Sequence, residues 1–219
     1  DIRVGIFDII VKDSIAAPQT GWVFATLVYD RNAQGDIWDK MVPLGAMWGN
    51  DPDVNSEKNP KQELMETYIN PKAPEWTKVT LGYGKRLSGP FDIAVKYNVD
   101  VNGTILPSLR SSSCLSCHGT SEYKKGSYSM STFLYPAKEY KSKPWKMYTS
   151  GSKEWNEWFQ NRWGDVPQRK GTIALDYSTF LSGVLMNYEA ATSTKEQNSS
   201  ILKNNHNLHW NAYRSMIND

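Results

Sequence analysis

The chain holds two cysteines and three histidines, and three of these five residues fall inside one pentapeptide, Cys114-Leu115-Ser116-Cys117-His118. Two thiols three positions apart share one helical turn, so each can add to a vinyl group of a single porphyrin. The next residue then offers an imidazole to the iron from the same side, which makes His118 the expected proximal ligand. C-x-x-C-H is the pattern of covalent haem attachment. The same residues also admit other chemistries. Cys114 and Cys117 can form a disulfide or a thioredoxin-like redox pair, which calls for a βαβ setting and leaves His118 without a role. They can also join His206 and His209 in a Cys2His2 zinc site, although the gap between the pairs is long for a compact finger and His118 is again unused.

The flanks of the pentapeptide suit a short helix. Ser111, Ser112 and Ser113 supply N-cap oxygens, and Gly119 relieves crowding beside a bound haem. With both thiols consumed, a six-coordinate iron needs a second axial donor from Met, His or, less often, Lys. Met186 is the first expectation, because it follows the attachment motif on a helix whose face is otherwise small. His206 and His209, in NNHNLHW, are the next candidates, followed by Met47 and Met130. An open iron is the remaining case.

These groups need a frame, and the sequence supplies one of mixed type. The chain has 219 residues, 39% of them hydrophobic, with 25 Lys plus Arg against 23 Asp plus Glu and a formal net charge of +2. Mixed charge of this kind excludes a disordered polyelectrolyte or a nucleic-acid-binding arm. The longest apolar stretch, Gly21 to Tyr29, falls far short of the roughly 18 residues that span a bilayer, so no transmembrane helix is expected. Strands are predicted over Arg3–Val11, Gly21–Asp30, Lys40–Met47, Phe91–Asp100 and Thr104–Leu106, with Asn102-Gly103 as a tight turn between the last two. Gly49–Gln62 reads as a long surface loop and Gln62–Ile69 as a short helix. After the pentapeptide the periodicity becomes helical. Trp155, Trp158, Phe159 and Trp163 form one apolar face over Lys153–Trp163. A longer helix over Thr172–Ala191 places Phe180, Leu181, Val184, Leu185 and Tyr188 on one side and Thr179, Ser182, Gly183 and Met186 on the other. The expected fold class is α+β, with a strand-rich portion over 1–108 packed on a helical haem-bearing portion over 109–219.

Cys114, Cys117 and His118 resemble the attachment site of monohaem c-type cytochromes. GWVFATLVYD and MVPLGAMWGNDPD are loosely similar to the front half of larger bacterial cytochrome c family proteins of unassigned function. The resemblance implies one covalent haem c, one-electron transfer with a redox partner protein, and a periplasmic or extracellular location. A first residue that is Asp1 suits a mature chain whose export signal has been removed. An open distal iron would instead fit a haem-based gas sensor or a small-substrate oxidoreductase. A zinc-stabilised binding domain is the third class.

The chain also carries smaller features. Between Ser121 and Ser150 stand six Lys (Lys124, Lys125, Lys138, Lys141, Lys143, Lys146) and two acids, Glu122 and Glu139. Such a segment offers either a basic rim for an acidic partner or ordinary solubilising charge. Arg110 can pair with a haem propionate or with a surface acid. Asp51, Asp53, Asn55 and Glu57 alternate like the start of a calcium loop, but the turn glycine and the distant Glu are missing, which favours a plain polar loop.

Overall fold

The computed structural model describes residues 4–56, 58–87, 98–101, 104–107, 113–125 and 151–192. Strands β1 (Ile6–Lys12), β2 (Trp22–Tyr29), β3 (Met41–Met47) and β4 (Thr67–Ile69) form one antiparallel sheet in chain order. In β2 the period of two is clear, with Phe24, Thr26 and Val28 turned inward. Register sets Phe24 opposite Met47, with a bulge between Thr26 and Leu27. β1 is exposed at every residue, as befits an edge that nothing covers among the described residues.

Strand β4 corrects the helix expected over Gln62–Ile69. Thr67, Tyr68 and Ile69 pair with Met47, Ala46 and Gly45, so a tertiary partner outweighs a weak local periodicity. The pairing is close at Gly45, where a Cβ would stand 2.2 Å from the Tyr68 carbonyl oxygen.

Strands β5 (Asn98–Val101) and β6 (Thr104–Pro107) pair with Val101 opposite Thr104. The turn residues 102–103 and the first part of the strand expected over Phe91–Asp100 lie outside the described residues. Helix α1 (Cys114–His118) follows, then β7 (Glu122–Tyr123), which pairs with β8 (Ile173–Ala174).

Helix α2 (Lys153–Phe159) is shorter than expected. Gln160 is extended and ends it. Trp155, Trp158 and Phe159 are buried, while Trp163 leaves the helix and lies against Gly21. Gly21 has a φ of +76°, and a Cβ there would stand 2.9 Å from the Trp163 ring.

Helix α3 (Thr179–Thr192) starts later than Thr172 because Asp176 and Tyr177 both adopt left-handed backbone, with φ of 49° and 64°. Its faces are inverted relative to the apolar periodicity. Phe180 is 81% exposed and Tyr188 is also exposed, whereas Ser182 and Met186 are buried. Small side chains admit close packing against β7, and that outweighs the larger apolar face.

The fold is α+β. One core joins Phe24, Val28, Leu44, Met47, Leu81 and Leu87 to Cys114, Leu115 and Tyr177. A second contains Cys117, Trp155, Trp158 and Phe159. Helix α1 therefore sits between the sheet and α2, with one cysteine in each core. No helix among the described residues is long and apolar enough to cross a membrane.

Candidate functional site

Helix α1 is a single turn, too short to persist on its own, so its ends must be fixed from outside. Ser113 is the N-cap: its Oγ accepts from Ser116 N at 3.0 Å, and Ser116 Oγ accepts from Ser113 N at 2.7 Å. This capping box uses Ser where Glu or Gln is usual. Ser113 Oγ also donates to Asn50 Oδ1 at 2.6 Å, and the Cys114 amide donates to the Leu87 carbonyl at 2.9 Å. At the other end Thr120 Oγ1 donates to the Cys117 carbonyl at 2.8 Å. Gly119 has ordinary helical φ, so glycine is needed for space: a Cβ would stand 2.8 Å from the Leu115 carbonyl.

Asn50 ties this turn to the rest of the fold. Its amide donates to Asn161 Oδ1 at 2.7 Å, and its carbonyl accepts from Arg86 Nε at 2.6 Å. Arg86 is fully buried. Its Nη2 reaches the carbonyls of Asp51 at 2.7 Å and Val54 at 2.8 Å. The guanidinium carbon lies 4.6 Å from the Phe159 ring centroid and 5.5 Å from that of Trp155. The segment expected as a plain surface loop thus buries Asn50, Asp51 and Val54, because a cation collects their carbonyls. Asp51 is occupied as well, its carboxylate accepting from the amides of Met65 and Glu66. Burial pushes its carboxyl above the ordinary value despite those amides. Glu57 lies outside the described residues.

His118 is the group with the most defined electronic state. Its Nδ1 lies 3.0 Å from the Tyr177 carbonyl oxygen, and a carbonyl can only accept. The proton therefore resides on Nδ1, leaving the lone pair on Nε2. Burial lowers the imidazole pKa, against the Tyr177 carbonyl and Asp8, which favours the neutral ring. Phe24 packs on it with ring centroids 5.0 Å apart. A neutral ring, oriented by a backbone acceptor through its far nitrogen, is the state a metal ligand requires.

The carbonyl that orients His118 is itself held in place by the two left-handed residues. Asp176 accepts from Lys12 Nζ and from Trp22 Nε1, the latter at 2.8 Å. Burial opposes ionisation of Asp176, but the Lys12 and Trp22 donors outweigh it and hold the carboxyl below its ordinary value. Tyr177 donates its hydroxyl to the Arg162 carbonyl at 2.8 Å, and burial pushes the phenol up to about 12. A raised folded-state value means that the neutral phenol's contribution is complete below the ordinary value of about 10 and is lost as pH rises through about 12. The urea midpoint should fall over that alkaline range, and should fall less in Tyr177→Phe.

The two cysteines are buried, Cys114 6% and Cys117 8% exposed, and are not joined in a disulfide. Every described strand pairing is antiparallel, so the βαβ setting of a thioredoxin-like pair does not occur among the described residues. Met47 is in the Cys114 core and faces Phe24 across the sheet. Met186 is buried on α3 but belongs to neither core. His206, His209, Met130, Arg110 and the lysines from Lys138 onward lie outside the described residues, while Lys124 and Lys125 are exposed. Among the described residues no group of three or more His, Cys, Asp or Glu side chains is placed to hold a metal ion.

Asn50, Arg86, Phe24, Tyr177 and Arg162 were not singled out in the sequence. Only Asn50, within WGNDPD, stood in a segment with a turn signal. Comparison of the chain with protein-family models, with curated proteins and with solved structures gives no match.

Proposed function

We propose that the chain is an exported monohaem c-type cytochrome that carries single electrons, with Cys114 and Cys117 holding the haem and His118 as proximal ligand. The observation that carries this reading is the His118 ring: neutral, protonated on Nδ1 toward the Tyr177 carbonyl, one residue beyond two cysteines of the same capped turn. The haem would supply the redox step, as an iron that gains and loses one electron. The chain's part is to fix the imidazole with Tyr177 and Phe24, anchor the turn through Ser113 and Asn50, and keep the cysteine side dry with Trp155, Trp158 and Phe159. Placing the protein in the periplasm or outside the cell follows from the attachment chemistry. An acidic redox partner is favoured by the basic segment that begins at Lys124 and Lys125.

For the second axial position Met186 stays first. Met186 would hold the iron together with His118, while Met47 pairs with Phe24, the residue packed on the His118 ring, which counts against Met47. A sensor or oxidoreductase with an open iron is the second reading.

One preparation tests both. Purified holoprotein should retain haem through denaturing extraction and give a low-spin spectrum that does not respond to carbon monoxide. A prompt carbon monoxide shift would transfer the argument to the open-iron reading, and absence of haem would end both in favour of a zinc-stabilised domain. Met186→Ala should turn the ferric spectrum partly high-spin; an unchanged spectrum removes Met186 and sends the same test to His206 and His209.

A further inference from the structure

Strand β1 ends the sheet with half of its backbone groups turned outward. The Gly5 carbonyl accepts from the Tyr29 amide at 2.9 Å, and the Asp13 amide donates to the Gly21 carbonyl at 2.9 Å. Between these two bonds β1 pairs with β2 without a shift of register. Alternate residues of an antiparallel strand turn their N–H and C=O groups to the same side. The odd-numbered positions therefore serve β2, and the amides and carbonyls of Ile6, Asp8, Ile10 and Lys12 point away from the sheet. Among the described residues no strand takes them up.

The side chains do nothing to blunt this edge. Exposed edges are ordinarily kept short, charged, bulged or interrupted by proline. In β1, Ile6, Phe7, Ile9, Ile10 and Val11 are instead 42–49% exposed, on both faces of the strand. Phe7, Ile9 and Val11 lie opposite Leu27, Ala25 and Val23, so the outer face stays apolar into β2. The five side chains leave roughly 400 Å² of surface per copy in water, and two copies with their strand backbones reach the ~1,000 Å² that a specific interface needs.

The two charges of β1 select the occupant. Asp8 and Lys12 share one face of the strand, with Ile10 midway between them. A second β1, laid antiparallel about a two-fold axis through Ile10, sets Asp8 opposite the partner's Lys12 and Lys12 opposite the partner's Asp8. Ile10 then meets its own copy, and Ile9 meets the partner's Val11. The even-numbered positions face one another, so the outward amides and carbonyls are joined as well. An axis through Asp8 or Lys12 would oppose like charges, and one through Ile9 would set each charge against an isoleucine. Opposite charges directly across a strand pair stabilise it and like charges destabilise it. Asp8 already accepts from Thr26 Oγ1 at 2.8 Å and Lys12 already binds Asp176, which fixes both side chains beside the edge. An ammonium has three donors and a carboxylate two oxygens, so each can serve both neighbours.

We propose that the chain forms a two-fold dimer through β1, joining two four-stranded sheets into one of eight strands. The pairing uses no residue of α1 and stands apart from the haem reading.

Sedimentation of the full chain over a range of loading concentrations tests it, and a species of twice the chain mass is expected. Asp8→Lys opposes like charges at both ends of the pairing, and Lys12→Glu does so with the sign reversed. Each should raise the dimer Kd by about tenfold or more. An equimolar mixture of these two variants restores opposite charges at both ends and should dimerise as wild type does. Ile10→Pro removes an amide that serves no bond in its own sheet, so it should abolish the dimer while the far-ultraviolet spectrum is retained. It also keeps the test in force where a charge variant fails to fold. A monomer at every loading would overturn the proposal and leave the edge to a different chain. A dimer that neither charge reversal nor Ile10→Pro weakens would overturn it in favour of another face. A mixture no better than the single variants would overturn the two-fold through Ile10.

Discussion

On the proposed haem reading, replacing Cys114 and Cys117 together with Ser is expected to abolish extraction-resistant haem, while either single replacement leaves one thioether bond and a displaced haemochrome band. Each thiol belongs to a different core, so the losses should also differ in kind. Cys114→Ser introduces a hydroxyl among Phe24, Leu44, Met47 and Leu115, and Cys117→Ser introduces one among Trp155, Trp158 and Phe159. A hydroxyl is more costly than a thiol to bury in an apolar setting, by up to about 1–3 kcal/mol. Denaturing extraction followed by the haemochrome spectrum reads attachment, and a denaturant titration reads the packing cost separately. Wild-type haem retention in the double variant would remove the covalent reading.

Arg86→Met is expected to be the most damaging substitution away from α1, lowering stability by about 3–5 kcal/mol. The methionine can fill the space against Phe159 and Trp155, but the carbonyls of Asn50, Asp51 and Val54 then lose their donor inside the protein. Because Asn50 also receives the Ser113 hydroxyl, the N-terminal end of α1 should loosen with it. For a chain of this length the thermal midpoint should drop on the order of 10 °C. A loss below about 1 kcal/mol in urea titration would show that water replaces the guanidinium at little cost.

The two residues that illustrate what could be read from the sequence are Phe24 and Arg86. Phe24 lies in a run whose β-branched and aromatic content marks a strand, and β2 and β3 appear where the pattern places them. Nothing local tells that Phe24 would meet His118, because that contact depends on how α1 is laid across the sheet. Arg86 gives no signal at all: a lone arginine in GYGKRLSG becomes informative only when three carbonyls from a distant loop converge on it. The inverted faces of α3 have the same origin, since periodicity measures how apolar a face is and not how closely a partner can approach. Within the site, the pentapeptide and its Ser113 cap were legible because both depend on near neighbours. The Tyr177 carbonyl was not, because it is brought in from beyond α2.

A turn whose two sulfurs are each shut inside a separate core also sets an order of events during the making of the protein. In the finished fold both cysteines are buried, which favours modification of the pair on a chain whose cores have not yet closed. On the haem reading, assembly is then a sequence in which the chain is loaded first and folds afterward around its cargo. Folding becomes the step that seals the product, and a chain that folds early loses the chance to be loaded.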